Sequence, residues 1–314
     1  IQWKENLLSL SEPFNVEFQF IEVNTLEDAA GPIENLCTAG CDGILMQPIT
    51  ESVLSVAGKY NVPVSSYCQT YSDEQMEVFA SYPNFVGEVA EVDKEASEHA
   101  AESMYDAGCR KVAIAGVTRG FARLSDDRAD YFKARFEELG GEVIAEDYTM
   151  LDFASSISSF AAAYPDMDGI YSVILDESVF QTVVTEGLLG QVKIAGFDMS
   201  DSCDMFFESG DLVFTCTGQQ ATILSAFAPL YNYMYDGTYL VDDRNKIIDR
   251  SYIEIHNAQE CADYNEYVRF STCYTPEEIG QMIIGFNPDY TSEQFREMNL
   301  SFSINDVMTR MGVE

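Results

Sequence analysis

The sequence predicts an α/β protein of two similar lobes, each a doubly wound parallel sheet, with a short helical C-terminal appendix. Three observations carry that reading. Apolar runs of strand length alternate with helical periods almost from end to end, the pattern of parallel sheets with helices on both faces. The alternation restarts near Ala107–Arg110, which argues for two lobes rather than one very large sheet. Two polar residues also stand at the ends of predicted strands. The stretch Gln191–Ser200 delivers Asp198 to a strand tip, and strand Lys111–Gly116 leads through a loop to a helix carrying Arg128. Open α/β sheets bind ligands in the crevice beyond the carboxyl ends of their strands, so both residues are placed to hold a small polar molecule.

The elements follow in order. Residues 2–11 read as a helix, and Val16–Val23 alternates apolar and polar residues as a strand does. Residues 26–39 are helical and stop at Gly40; Cys41–Gln47 is a strand stopped by Pro48. A helix over 50–59, a strand over Val62–Tyr67 and a short strand over Phe85–Val89 lead to a helix over 93–107 closed by Gly108. The second series runs strand 111–116, helix 125–139, strand 142–147, helix 153–163 and strand 169–175. It continues with helix 177–187, strand 192–197, helix 201–208, strand Leu212–Thr217 and a long helix over 220–235. Ile247–Ile255 is extended. Beyond it, Thr275-Pro276-Glu277-Glu278 and Thr291-Ser292-Glu293 are helix starts, each a hydroxyl followed by acids.

Composition narrows the function. With 314 residues, 46% of them hydrophobic, the chain can build two cores of ordinary size. Its 53 acidic and 17 basic side chains give a net charge of −36, a field that repels phosphate backbones and anionic lipid. Arg119, Arg123 and Arg128 are interleaved with Asp126, Asp127 and Asp130, so no basic patch offsets it and nucleic acid is not an expected partner. Eight cysteines are dispersed. Cys37 and Cys41 flank a helix-to-strand turn, and Cys261 and Cys273 are the pair best placed to be bridged. Only His99 and His256 could add nitrogen ligands and neither is clustered with cysteines, so no metal or other cofactor is expected. No run has the length of a transmembrane helix. The opening Ile1-Gln2-Trp3, without an initiator Met, reads as part of a longer precursor.

Catalytic signatures are missing. There is no G-x-G-x-x-G after a strand, no P-loop lysine motif and no G-x-S-x-G elbow. Two histidines without a neighbouring nucleophile do not make a Ser-His site, and Asp126-Asp127 are adjacent rather than facing. No catalytic residues are assigned; the expectation is a binding protein.

The order of several short motifs resembles a known family. These are Cys41-Asp42-Gly43-Ile44-Leu45 with Pro48, Asn61-Val62-Pro63-Val64, Gly108–Ala113, Ser125–Arg128 at the head of a helix, Asp168-Gly169-Ile170 and Val192–Asp198. Together, over about residues 15–256, they resemble the type I periplasmic binding proteins. That family shares its fold with the ligand-binding core of lactose-repressor-like regulators. The resemblance implies two lobes joined by three crossovers, near 107–110, 217–220 and 254–259. The N-terminal lobe would then comprise 1–107 and 219–256 and the C-terminal lobe 108–218, with 257–314 as an extension packing on lobes and hinge. It also implies a first central strand ahead of helix 2–11, expected upstream of Ile1; without one the first sheet would have a hole at its centre.

The resemblance further implies that Arg128 and Asp198 grip ligand hydroxyls. Gln219, with Gln220 as a near alternative, contributes after the last strand of the second lobe, and Gln47, Tyr67 and Gln69 come from the first. Sugar-binding members often carry an acid and an Arg where Cys68 and Gln69 stand here. Carboxylate and guanidinium groups suit paired sugar hydroxyls, and Tyr67, Tyr71 and Phe121 are candidate faces for a sugar ring. Structural roles compete at each position. Asp198 could cap helix 201–208, Arg128 could pair with Asp126 or Glu177 at the surface, the glutamines could satisfy strand ends, and Tyr67 could be core. The implied function is a monomeric extracytoplasmic solute-binding protein, periplasmic or a cell-surface lipoprotein. It would deliver a small polar ligand, a carbohydrate, to an ABC transporter permease by hinge closure. The alternative is a ligand-sensing domain of a receptor or regulator on the same fold.

Overall fold

The computed structural model describes residues 2–23 and 28–313, and two sheets organise them. The chain opens with α1 (Gln2–Leu8), α2 (Ser11–Phe14) and α3 (Ala30–Ala39). Then come β1 (Ile44–Met46), α4 (Glu51–Lys59), β2 (Val64–Tyr67), α5 (Asp73–Ala80), β3 (Phe85–Glu91) and α6 (Asp93–Asp106). The second series is β4 (Lys111–Val117), α7 (Arg123–Glu138), β5 (Glu142–Thr149), α8 (Phe153–Ala163), β6 (Gly169–Ser172), α9 (Glu177–Thr185), β7 (Lys193–Phe197), α10 (Cys203–Ser209) and β8 (Leu212–Thr217). The chain returns through α11 (Thr222–Asp236) to β9 (Ile248–Arg250) and β10 (Ile253–Ile255). It finishes with α12 (Ala258–Asp263), α13 (Pro276–Gln281), α14 (Ser292–Leu300) and α15 (Ile304–Arg310).

The first sheet has the order β1-β2-β3-β9, with every pair parallel. The second has the order β10-β8-β7-β6-β4-β5, parallel except for β10, which runs antiparallel to β8. Two apolar clusters hold the sheets. Val53, Leu54, Val64, Phe79 and Phe85 pack together in the first lobe; a larger cluster with Ile114, Phe132, Ile170, Phe197 and Phe214 fills the second and also takes in Val89 of β3 and Ile248 of β9. Burying a side chain of this size contributes about 1.5–3 kcal/mol.

The chain crosses between the sheets at places that correct the expected boundaries. α6 packs on α7, β7 and β8, all elements of the second lobe. The first crossing therefore lies at Val92, before α6, and not at 107–110. The second lies between β8 and α11, near Gly218–Gln220. The third falls between Arg250 and Ile253 rather than at 254–259, because β9 belongs to the first sheet and β10 to the second.

Three further expectations are corrected. Residues 16–23 alternate as a strand does but do not form one: residues 17–23 make no backbone hydrogen bonds among the described residues. A groove of about 1180 Å³ lies between this segment and β1, with Ile223, Phe227 and Leu230 of α11 on its wall. Side-chain alternation supplies only half of a strand; the other half is a neighbouring backbone edge. α5, which the apolar pattern did not announce, starts at a capping box between Ser72 and Gln75. Cys261 and Cys273 are not bridged. Both are free, and the Cys261 thiol donates to Asp204 Oδ1 at 2.9 Å.

The extension touches both lobes. α12 packs on α10, and α14 packs on β9. Its helix starts at Thr275 and Thr291 are the capping boxes that the sequence indicates. Fully buried Arg250 on β9 stands in register with Glu91, and its Nη1 donates to Ser225, Tyr274 and Asn299. The hinge region is thereby tied to the extension.

Candidate functional site

The C-terminal tips of the two sheets face each other across a cleft of about 360 Å³. The first lobe contributes Gln47 after β1, Cys68–Thr70 after β2, Glu91 at the end of β3, and Trp3 from α1. The second contributes Leu124 and Arg128 from α7, Ile174 after β6 and Asp198 after β7; Gln219 and Gln220 lie at the crossing after β8. The positions are those that a crevice site on open α/β sheets requires.

Local geometry explains how Asp198 is presented. Gly196 lets β7 run close to its neighbour, since a Cβ there would lie 2.1 Å from the Ser172 carbonyl oxygen. Asp198 then leaves the strand in the left-handed region (φ +72°), which Asp tolerates better than most side chains. Its N–H donates to Cys216 O at 2.8 Å, and its carbonyl accepts from the Thr215 hydroxyl at 2.5 Å. Its Oδ1 accepts from Gln219 Nε2 at 2.9 Å. The cap role is not realised: α10 starts after Ser202, with no side-chain cap. Gly218 (φ +107°) makes the turn that brings Gln219 to this carboxylate.

Arg128 is placed differently from the surface ion pair that its neighbours suggest. It is 5% exposed, and its Nε donates to Asp93 Oδ1 at 2.8 Å. Nη1 donates to Val173 O at 3.2 Å and Nη2 to the Tyr252 hydroxyl at 2.8 Å, while the guanidinium carbon lies 4.1 Å from the Phe197 ring centroid. Three of five N–H donors are thus engaged, and the side chain still lines the cleft. Burial alone would favour loss of its proton; Tyr252, Asp93 and Asp198 outweigh it and hold the guanidinium charged. Asp93 also accepts from the Tyr252 hydroxyl at 2.9 Å and from Thr70 Oγ1 at 3.2 Å. The Thr70 bond joins the two lobes.

The first lobe places buried acids at and beneath the cleft. Burial raises the carboxyl of Glu91 and, further still, that of Glu88. Glu91 Oε1 accepts from the Thr222 hydroxyl and, at 3.7 Å, from the Cys68 thiol. Glu88 Oε1 accepts from the Gln69 N–H at 3.0 Å, which fixes the backbone of a cleft residue; Glu88 Oε2 has no partner among the described residues. Burial, with Glu91 nearby, holds the Cys68 thiol well above its usual range, so it is a poor nucleophile.

Of the residues picked from sequence, the fold brings Gln47, Gln69, Arg128, Asp198 and Gln219 to one cleft. Two of the others stand elsewhere. Phe121 is 65% exposed on the loop before α7 and does not line the cleft, where Leu124 stands instead. Tyr67 lies behind Trp3, at a ring separation of 5.2 Å, and faces the groove beside β1. Tyr71 is core: it packs on Phe79, and its hydroxyl accepts from the Ile49 N–H at 2.8 Å. Sequence reasoning missed Trp3, Glu91 and Asp93. The signal was present as two acids, Glu91 and Asp93, at the exit of a buried strand, and as the one tryptophan of the chain.

No family model matches the chain, and no curated protein matches it by sequence. Solved structures do match by fold. A galactofuranose binding protein superposes with a TM-score of 0.70 at 14% identity, over 84% of this chain and 92% of that one. The periplasmic binding protein component of the arabinose ABC transporter from Shewanella sp. ANA-3, bound to arabinofuranose, gives 0.68 at 17% identity over 84% and 89%. An ABC transporter periplasmic solute binding protein from Actinobacillus succinogenes 130z with bound D-allose gives 0.67 at 16% identity over 83% and 94%. With two parallel sheets, a hinge crossed three times and a polar cleft between the sheet tips, this chain has the fold of the type I periplasmic sugar-binding proteins.

Proposed function

We propose that the protein is the extracytoplasmic solute-binding component of an ABC importer, and that it takes a monosaccharide-sized carbohydrate between its lobes for delivery to a membrane permease. The observation that carries this is the composition of the cleft. Amide side chains from Gln47, Gln69 and Gln219, the carboxylates of Asp198, Glu91 and Asp93, and a buried guanidinium with two spare donors line a space of about 360 Å³. That volume sits at the small end of ligand pockets, roughly 300–1,000 Å³. The polar groups match paired hydroxyls, and Trp3 offers a ring face at the same mouth. A ligand held from both sides favours the closed arrangement by its differential contacts, and a permease can read that arrangement. The cleft thiol, Cys68, faces the Glu91 carboxylate but is held well above its usual range and is a poor nucleophile, and the solved structures named above are binding proteins. Among the described residues, no helix is long and apolar enough to cross a membrane.

A thermal-shift screen of pentoses, hexoses, polyols and nucleosides tests the reading, because a ligand that binds only the folded state raises the melting temperature. At least one monosaccharide should raise it and give saturable heat in a calorimetric titration. A panel without any response would overturn the proposal.

A further inference from the structure

The loop after β2 brings Cys68, Gln69 and Thr70 to the cleft, and three carboxyl groups hold it residue by residue. The Cys68 thiol donates to Glu91 Oε1 at 3.7 Å, the Gln69 N–H to Glu88 Oε1 at 3.0 Å and the Thr70 hydroxyl to Asp93 Oδ2 at 3.2 Å. Glu88 and Glu91 belong to β3, and Asp93 opens α6 just past the first crossing. The Cys68 N–H donates to Val89 O at 2.8 Å, again on β3. The chain leaves β2 with Cys68 at φ +54°, a left-handed conformation that costs free energy for a residue with a Cβ.

Of the three acids, Glu88 alone does not line the cleft. It is fully buried, and its Oε2 has no partner among the described residues. A buried acid with one oxygen unpartnered destabilises a fold, whereas an apolar side chain of similar length fills the same space without that penalty. Packing therefore does not account for an acid at this position; the bond to the Gln69 N–H does.

We propose that Glu88 is a positioning residue for sugar binding: without touching the sugar, it fixes the backbone of the 68–70 loop so that the Gln69 side chain meets the sugar in the cleft. The inference rests on the function proposed above. A loop ordered before the sugar arrives lowers the ordering cost of association, so Glu88 acts on affinity through Gln69.

Two variants separate the acceptor from the packing. Glu88→Gln keeps a carbonyl oxygen for the Gln69 N–H, and Glu88→Met keeps the length without the acceptor. In the sugar-free full chain, hydrogen exchange read by NMR should show the Gln69 amide exchanging about tenfold faster in Glu88→Met and near the wild-type rate in Glu88→Gln. Titration calorimetry uses the monosaccharide that gives the largest thermal shift in the screen. Glu88→Met should bind it roughly tenfold more weakly, the effect of one hydrogen bond, with a melting temperature no lower than that of wild type. A residue that serves stability alone would move affinity and melting temperature together. In a Gln69→Ala background the affinity penalty of Glu88→Met should vanish, because the side chain it positions is gone. Wild-type affinity in Glu88→Met, the full penalty in the Gln69→Ala background, or an unchanged Gln69 amide would overturn the proposal. A screen in which no monosaccharide shifts the wild-type protein overturns the proposed function and this inference with it; a sugar bound alike by wild type and Glu88→Met overturns this inference alone.

Discussion

Replacing Asp198 separates binding from folding better than any other change in the cleft. Its carboxylate has one side-chain partner among the described residues, Gln219 at 2.9 Å. Removing that bond costs about 1 kcal/mol, and alanine at φ +72° adds roughly 1–2 kcal/mol of backbone strain. At about 2–4 °C per kcal/mol for chains of 150–250 residues, the melting temperature of Asp198→Ala should fall by less than ~12 °C. Ligand affinity should suffer far more. Hydrogen bonds to a charged group contribute about 1.5–3 kcal/mol each, and a carboxylate can hold two sugar hydroxyls. The loss of about 3–6 kcal/mol weakens binding by roughly 10²–10⁴-fold. Asp198→Asn keeps the shape and tolerates the left-handed backbone, but its neutral hydrogen bonds are about half as strong, so it should fall between. Titration calorimetry with the best ligand of the screen measures all three proteins. Affinity in Asp198→Ala equal to wild type would refute the assignment of this residue to the site.

Arg128→Ala should damage the fold as well as the site. It strands the buried Asp93 carboxylate, a change that costs about 3–5 kcal/mol, so calorimetry should show a melting temperature lower by roughly 10 °C. Arg128→Met combined with Asp93→Asn should recover part of that stability without recovering binding; an Arg128→Ala protein as stable as wild type would contradict the buried pair. Trp3 is the sole tryptophan and lines the cleft, so ligand should change the intrinsic fluorescence in a saturable way, and an unchanged spectrum at saturation would place the ligand elsewhere. Glu88 gives a pH test. Burial raises its folded pKa above the unfolded value, so the folded state holds a proton that the unfolded state releases. Its contribution is complete below the unfolded pKa near 4.5 and is lost as pH rises through the folded one. Glu88→Gln should therefore gain stability over wild type at neutral pH and converge with it near pH 4 in denaturant melts; the opposite trend would contradict a buried neutral acid.

Particular elements show how far the sequence could be read. Strands that form ladders with their neighbours, such as 111–117 and 212–217, were legible because period and burial agree there. Asp198 and Gln219 were legible for the same reason, since each follows a strand whose end is unmistakable. Residues 16–23 were misread because alternation says nothing about whether a partner edge is in place. The first crossing was misplaced because α6 looks alike whichever sheet it covers; only its packing on β7 and β8 decides. Phe121 was misjudged because a loop residue near a helix start has no periodicity to aim it, and here it points outward. Arg128 lines the cleft, but its burial comes with Asp93 and Tyr252, which lie 35 and 124 residues away in sequence.

A crystal structure of the protein grown with its tightest-binding monosaccharide tests the account most directly. The sugar should occupy the cleft with hydroxyls on Asp198, Gln219 and Arg128 from one side and on Gln47 or Gln69 from the other. A sugar bound to one lobe alone, or anywhere outside that cleft, would contradict it.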